Sequence, residues 1–258
     1  MVITSGQGGI DVRDGVQQEG ASLVTLRGVS KRHGLVQVLH EIDLDLCAGE
    51  VVAVLGPVGA GKSTLFRVIN GIERIDSGCI SVEGRKLLPR RRWLPGTRRP
   101  APERGELFAY RTVLQNVALG QAWLRRLTQA EAAGRAQVLL ERVGAGDCAA
   151  NYPWELTSGQ RQLVSIARAL AADPRLLLLD EPCGHTAPAV LRGLAADGMA
   201  ALLATSDPAF ARAAADRILF MAGGRIIERA TPEEFFATPR TARARDFLAG
   251  GAGGGAQR

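Results

Sequence analysis

Val51-Val52-Ala53-Val54-Leu55 is an unbroken apolar run that ends in Gly56-Pro57-Val58-Gly59-Ala60-Gly61-Lys62-Ser63. A short apolar run bounded by turn residues reads as a buried strand, so the chain passes from the end of a sheet straight into a glycine-rich turn. Thr64-Leu65-Phe66-Arg67-Val68-Ile69-Asn70 then follows a helical pattern and stops at Gly71. Strand, glycine turn, Lys-Ser and helix in that order make a phosphate-binding loop. With little or no side chain at Gly56, Gly59, Ala60 and Gly61, backbone N–H groups converge on phosphate oxygens. Lys62 supplies a point charge, Ser63 a hydroxyl for Mg2+, and the positive end of the helix lies behind the phosphates. Nucleotide binding along the stretch from Gly56, Pro57 and Val58 to Thr64 is the first expectation.

The 258 residues suit one large domain, or a domain with a subdomain, able to bury a sizeable core. No stretch approaches the roughly 18–20 apolar residues of a membrane span, and the N-terminus lacks the regions of a signal peptide, so a cytoplasmic protein is expected. Cys47, Cys79, Cys148 and Cys183 are scattered with no Cys-x-x-Cys pair, which disfavours a zinc site and a disulfide scaffold. The net charge of +6 is local. Arg85, Lys86, Arg90, Arg91, Arg92, Arg98, Arg99 and Arg104 share a segment with Pro89, Pro95, Pro100 and Pro102. That segment reads as a solvated basic loop rather than as a nucleic-acid surface. Residues 1–20 and the Gly-rich residues 249–258 read as disordered tails, which leaves 21–248 as the folded domain.

Residues 23–26 and 38–46 alternate apolar with polar, the mark of half-buried antiparallel strands, and Cys79-Ile80-Ser81-Val82 is a third. Thr128-Gln129-Ala130-Glu131 has capping-box spacing and opens a helix that runs to about Val143 and closes at Gly144. From Leu176 onward, short strands at 176–179, 200–205, 218–221 and 225–227 alternate with helices near 189–196 and 208–215. The expected fold class is α/β: a parallel sheet around the P-loop, an antiparallel β subdomain, and a helical subdomain over about 107–172.

Asp180-Glu181 closes a four-leucine strand, which delivers both carboxylates to the sheet edge where ligands bind in open α/β folds. Asp180 suits the Mg2+ partner of Ser63, and Glu181 suits the base that orients or deprotonates an attacking water. Upstream, Leu156-Thr157-Ser158-Gly159-Gln160 leads into the helical pattern of 163–170. A hydroxyl and glycine N–H groups at a helix start face an anion well.

This last stretch resembles the signature motif of ATP-binding-cassette ATPases, and the resemblance extends over about residues 22–248. It is closest to subunits of polar amino-acid importers, whose phrases are similar to Ala215-Asp216-Arg217-Ile218-Leu219-Phe220-Met221 and Thr231-Pro232-Glu233-Glu234-Phe235-Phe236. The resemblance implies a P-loop NTPase core that binds ATP with Mg2+ and hydrolyses it. His33 stands at the position that stacks on adenine, and Thr157, Ser158, Gly159 and Gln160 meet the ATP held by a second cassette. The implied catalytic set is Glu181, Lys62 and Ser206. The implied partners are a second ATPase subunit, membrane-spanning permease subunits and, indirectly, an extracytoplasmic solute-binding protein, with the chain peripheral at the cytoplasmic face of the membrane. No nucleic acid is implied.

Five positions depart from that pattern. His33 replaces an aromatic residue, and Ser158 replaces the first signature glycine. A glutamine contacting Mg2+ is absent near Glu103. Gly184-His185-Thr186-Ala187 lacks the aspartate that communicates across the dimer, and Thr205-Ser206 stands where Thr-His is expected. Loss of one pre-placed donor at a developing oxyanion costs about 10²–10³ in rate, so a nucleotide-binding but weakly or non-hydrolysing cassette paired with a competent partner is the second expectation. A soluble kinase would not need residues 156–160, and repair or translation relatives carry tandem cassettes or long insertions.

Overall fold

The computed structural model describes residues 22–87, 101–102, 107–125, 127–182 and 188–251. The two tails up to residue 21 and from 252, most of the basic segment, Glu103 and residues 184–187 lie outside these, so the expectations placed on them go no further here.

Two sheets form. β1 (Ser22–His33), β2 (Val36–Cys47), β4 (Ser77–Val82) and β5 (Arg85–Leu87) make an antiparallel sheet in the order β2-β1-β4-β5. The larger sheet includes β3 (Val51–Leu55), β6 (Ala101–Pro102), β7 (Leu176–Asp180), β8 (Ala200–Thr205), β9 (Arg217–Ala222) and β10 (Arg225–Ala230). Its order is β10-β9-β3-β8-β7-β6, parallel except for β10 at one edge. Period-two alternation divides the large sheet between two cores. Val51, Ala53, Leu55, Leu177, Leu179, Ala201 and Leu203 belong to one. Val52, Val54, Leu176, Leu178, Ala200, Leu202 and Ala204 belong to the other, with Leu26, Ile42, Leu44, Leu65 and Ile69 from the antiparallel sheet and the first helix. A strand coated on both faces reads as a continuous apolar run, and β3 and β8 are buried throughout, with Thr205 at the end of β8 the one polar member.

The helices are α1 (Lys62–Ile69), α2 (Val113–Arg125), α3 (Gln129–Arg142), α4 (Ser158–Leu170), α5 (Pro188–Ala196), α6 (Pro208–Ala214), α7 (Pro232–Ala237) and α8 (Ala242–Gly251). α2, α3 and α4 occupy the stretch between the sheet-forming halves. α3 starts in the expected capping box, with Thr128 accepting from the Glu131 amide and Glu131 accepting from the Thr128 amide, and Gly144 follows at φ +76°.

Several boundaries differ from the sequence reading. β1 continues past Leu26 to His33 because Gly28, at φ +59°, absorbs an irregularity in the ladder and pairing resumes at Val29 opposite Ile42. Part of the segment read as a basic loop is strand: Glu83 and Gly84, both with positive φ, turn β4 back so that Arg85–Leu87 pairs with it, and Ala101–Pro102 adds to the edge of the large sheet beside β7. A proline is tolerated at such an edge. α8 runs to Gly251, three residues beyond the expected domain end at 248.

Side chains tie the sheets together. Arg217 donates to Glu50 Oε1 at 2.7 Å and to the Asp45 carbonyl at 2.6 Å, and Asp216 accepts from the Val51 amide at 2.8 Å. Buried Glu228 accepts from the Arg240 and Thr241 amides and the Thr241 hydroxyl, which anchors the chain entering α8.

Candidate active site

The carboxyl ends of β3, β7 and β8 lie side by side, and the expected phosphate, metal and base residues all emerge from them. The loop between β3 and α1 is held by main-chain bonds: Gly56 N–H donates to the Thr205 carbonyl at 3.3 Å, Ala60 N–H to Pro57 at 3.2 Å, and Gly224 N–H to Ala60 at 3.0 Å. Two positions demand glycine. Gly61 sits at φ +103°, where a Cβ would also come within 2.9 Å of Met221 Cε, and a Cβ on Gly56 would fall 2.1 Å from the Met221 carbonyl oxygen. β9 thus forms the wall against which the loop folds. Pro57, Val58 and Gly59 are exposed at its crest, whereas Ala60, Lys62 and Thr64 are buried and Ser63 is exposed. No side chain caps α1, so its first amides keep their donors for an anion.

Lys62 is 5 % exposed. Its ammonium curls over the loop, donating to the Gly56 carbonyl at 2.6 Å and to Pro57 at 3.1 Å, and pairs with Glu181 Oε1 at 3.2 Å. Ser63 Oγ donates to Asp180 Oδ1 at 3.4 Å. The other oxygen of Glu181 accepts from the Ser206 amide at 3.0 Å and the Ser206 hydroxyl at 3.1 Å. Glu181 itself is at φ +52°, and its amide donates to the Ala204 carbonyl at 2.7 Å. The structure therefore brings together Lys62, Ser63, Asp180, Glu181 and Ser206. Sequence reasoning gave the carboxylate and the lysine separate tasks and missed that they pair, because nothing local marks a contact between residues so far apart in the chain.

Ser63 and Asp180 fit a Mg2+ ion: both offer oxygen, they lie within one coordination sphere of each other, and phosphate and water complete such sites in nucleotide enzymes. Among the described residues no group of three or more His, Cys, Asp or Glu side chains forms a self-sufficient metal cage.

Thr157, Ser158, Gly159 and Gln160 lie at the start of α4. Thr157 Oγ1 accepts from the Gln160 amide at 3.3 Å, and Gln160 Oε1 accepts from the Thr157 amide at 2.9 Å. This is a second capping box, and it spends both polar side chains on the cap itself. His33 ends β1 with its ring Nε2 2.9 Å from Glu73 Oε2, and Arg67 of α1 donates to Glu73 Oε1 at 3.0 Å. Burial works to raise the Glu73 carboxyl, but the hydrogen bonds from His33 and Arg67 outweigh it and hold the group below its ordinary range. Sequence reasoning did not find Glu73.

Comparison with known proteins agrees with this geometry. Residues 39–184 match the family described as ABC transporter. Over 236 residues the chain is 42 % identical to the glutamate transport ATP-binding protein of Corynebacterium efficiens, an alignment covering 88 % of this chain and 98 % of that protein. It is 41 % identical, with the same coverage, to the glutamine transport ATP-binding protein of Geobacillus stearothermophilus. Among solved structures, the dimeric structure of a bacterial ABC transporter cassette is 26 % identical, with a TM-score of 0.71 over 81 % of this chain and 98 % of that one. No helix among the described residues is long and apolar enough to cross a membrane.

Proposed function

From the premise that this chain belongs to the ABC transporter family, as one of its ATP-binding subunits, we propose that it holds MgATP between residues 56–64 and Asp180 and energises uptake of an amino acid or similar polar solute. The supporting observation is the convergence of Lys62, Ser63, Asp180 and Glu181 at adjacent strand ends. Lys62 and the first amides of α1 bind the phosphates. Ser63 and Asp180 hold Mg2+, which neutralises phosphate charge when bound. His33 carries the adenine. Glu181 orients and deprotonates the attacking water once Lys62 has turned from it to the phosphates.

In this reading Thr157, Ser158, Gly159 and Gln160 present the amide-rich start of α4 to the nucleotide of a second cassette. Permease subunits and an extracytoplasmic solute-binding protein complete the assembly, and the chain sits on the cytoplasmic face of the membrane. Names of relatives that carry glutamate or glutamine transport support the solute class. Ser206 at the end of β8 favours a second reading, in which ATP is bound well and turned over slowly.

Calorimetry tests the nucleotide site. Lys62→Ala removes a charged donor, an interaction worth about 1.5–3 kcal/mol, so MgATP affinity drops roughly 10- to 150-fold. Undiminished affinity in that variant rejects the assignment.

A further inference from the structure

We infer that Glu73 is a positioning residue for the nucleobase, which it serves by orienting His33. The inference rests on the reading of His33 as the adenine platform proposed above. A carboxylate only accepts hydrogen bonds, so the 2.9 Å contact with Glu73 Oε2 fixes the proton on His33 Nε2 and restrains rotation of the ring about χ2. The ring is otherwise poorly packed, with 46 % of its side chain exposed, and an imidazole offers less stacking area than the larger aromatic side chains. A weak platform gains most from being held in place before the ligand arrives.

The tether is itself anchored to the phosphate-binding helix. Gly71, at φ +69°, ends α1 in a left-handed turn that folds Ile72 and Glu73 back on its last turn. The Ile72 and Glu73 amides donate to the Arg67 carbonyl at 2.9 and 3.2 Å, and the Arg67 guanidinium holds Glu73 Oε1 at 3.0 Å. Arg67 lies five residues along α1 from Lys62, so one short helix fixes the phosphate lysine at one end and the histidine tether at the other. Apolar surface flanks the pair: Leu35 and Val36 follow His33, Ile72 precedes Glu73, and all three are more than 60 % exposed. An exposed apolar rim beside a restrained aromatic ring suits a stacked base rather than a phosphate.

Calorimetry on the full chain, with MgATP and with magnesium tripolyphosphate as a ligand that has the phosphates and no base, separates the roles. Glu73→Gln is expected to weaken MgATP about three- to tenfold, the worth of one ordinary hydrogen bond, and to leave tripolyphosphate unchanged. In a His33→Phe background, whose ring has no hydrogen bond to lose, Glu73→Gln is expected to change neither. His33→Gln, which keeps a donor for Glu73 but has no ring, is expected to weaken MgATP at least as much as Glu73→Gln, again without effect on tripolyphosphate. Equal loss for both ligands, or an undiminished loss in the His33→Phe background, overturns the inference and leaves nucleotide binding intact. Absence of binding of either ligand to the unaltered chain overturns the nucleotide reading and this inference with it.

Discussion

Ser206 donates twice to one oxygen of Glu181, through its amide at 3.0 Å and its hydroxyl at 3.1 Å, while Lys62 holds the other oxygen at 3.2 Å. The carboxylate that would activate water is thus clamped between a cation and a pair of neutral donors. Phosphate entering the loop competes for Lys62 and frees one side of the clamp. The serine side remains, so the base keeps its position beside the tip of β8, where Ser206 offers a hydroxyl and not an imidazole to share the charge that would develop on the phosphate.

Ser206→His is therefore expected to raise steady-state ATP turnover. One pre-placed donor is worth about 10²–10³ in rate, and recovery of about tenfold is a conservative expectation because the neighbouring loops were not shaped around a histidine. Phosphate release measured with the permease subunits present checks it, and an unchanged or lower rate removes the explanation.

Gly56 and Gly59 are expected to respond differently to alanine. At Gly59 the space is open and the cost is that of φ +82°, about 1–2 kcal/mol. At Gly56 the new methyl would lie 2.1 Å from a backbone oxygen of β9, so β3 and β9 must separate. Loss above roughly 3 kcal/mol is expected, beyond the usual range for overpacking. Urea midpoints of the two variants rank them, and equal losses would contradict the structure.

Thr157→Ala removes the cap of α4 and is expected to cost about 0.5–2 kcal/mol. Thr157→Ser, which keeps the acceptor, should recover most of it. Denaturant unfolding of the three proteins gives the comparison.

Glu73 should make stability fall on the acid side. Its folded-state pKa is lowered from 4.5, so the stabilisation is fully present above pH 4.5 and is lost as pH falls through the lower folded value. The stability gap between the unaltered chain and Glu73→Gln is expected to shrink below about pH 4.5. A gap that does not shrink there would mean that His33 and Arg67 do not favour the ionised carboxyl.

Elements whose reasons are local were legible in the sequence. β3 and β8 have the boundaries expected of them, because strands coated on both faces read as continuous apolar runs, closed in β8 by Thr205. α3 was legible from its capping box and closing glycine. The same signal stands before α2, where Thr112 accepts from the Gln115 amide and Gln115 from the Thr112 amide. β1 continues beyond residues 23–26 through a ladder irregularity at Gly28 that only the pairing with β2 defines. β6 is two residues of edge strand that only β7 defines. In the site, the residue types came from motifs, but the Lys62 pairing with Glu181 and the His33 tether on Glu73 are products of the tertiary fold and leave no periodic trace.

The tip of β8 offers two consecutive carbonyls, Ala204 to the Glu181 amide and Thr205 to the Gly56 amide. Both halves of the nucleotide site therefore share a single mechanical reference, and Ser206 is the next residue along. A shift of that tip by a fraction of an ångström would loosen the phosphate grip and misdirect the water-activating carboxylate in the same movement. On the function proposed above, affinity and turnover are coupled through one strand end.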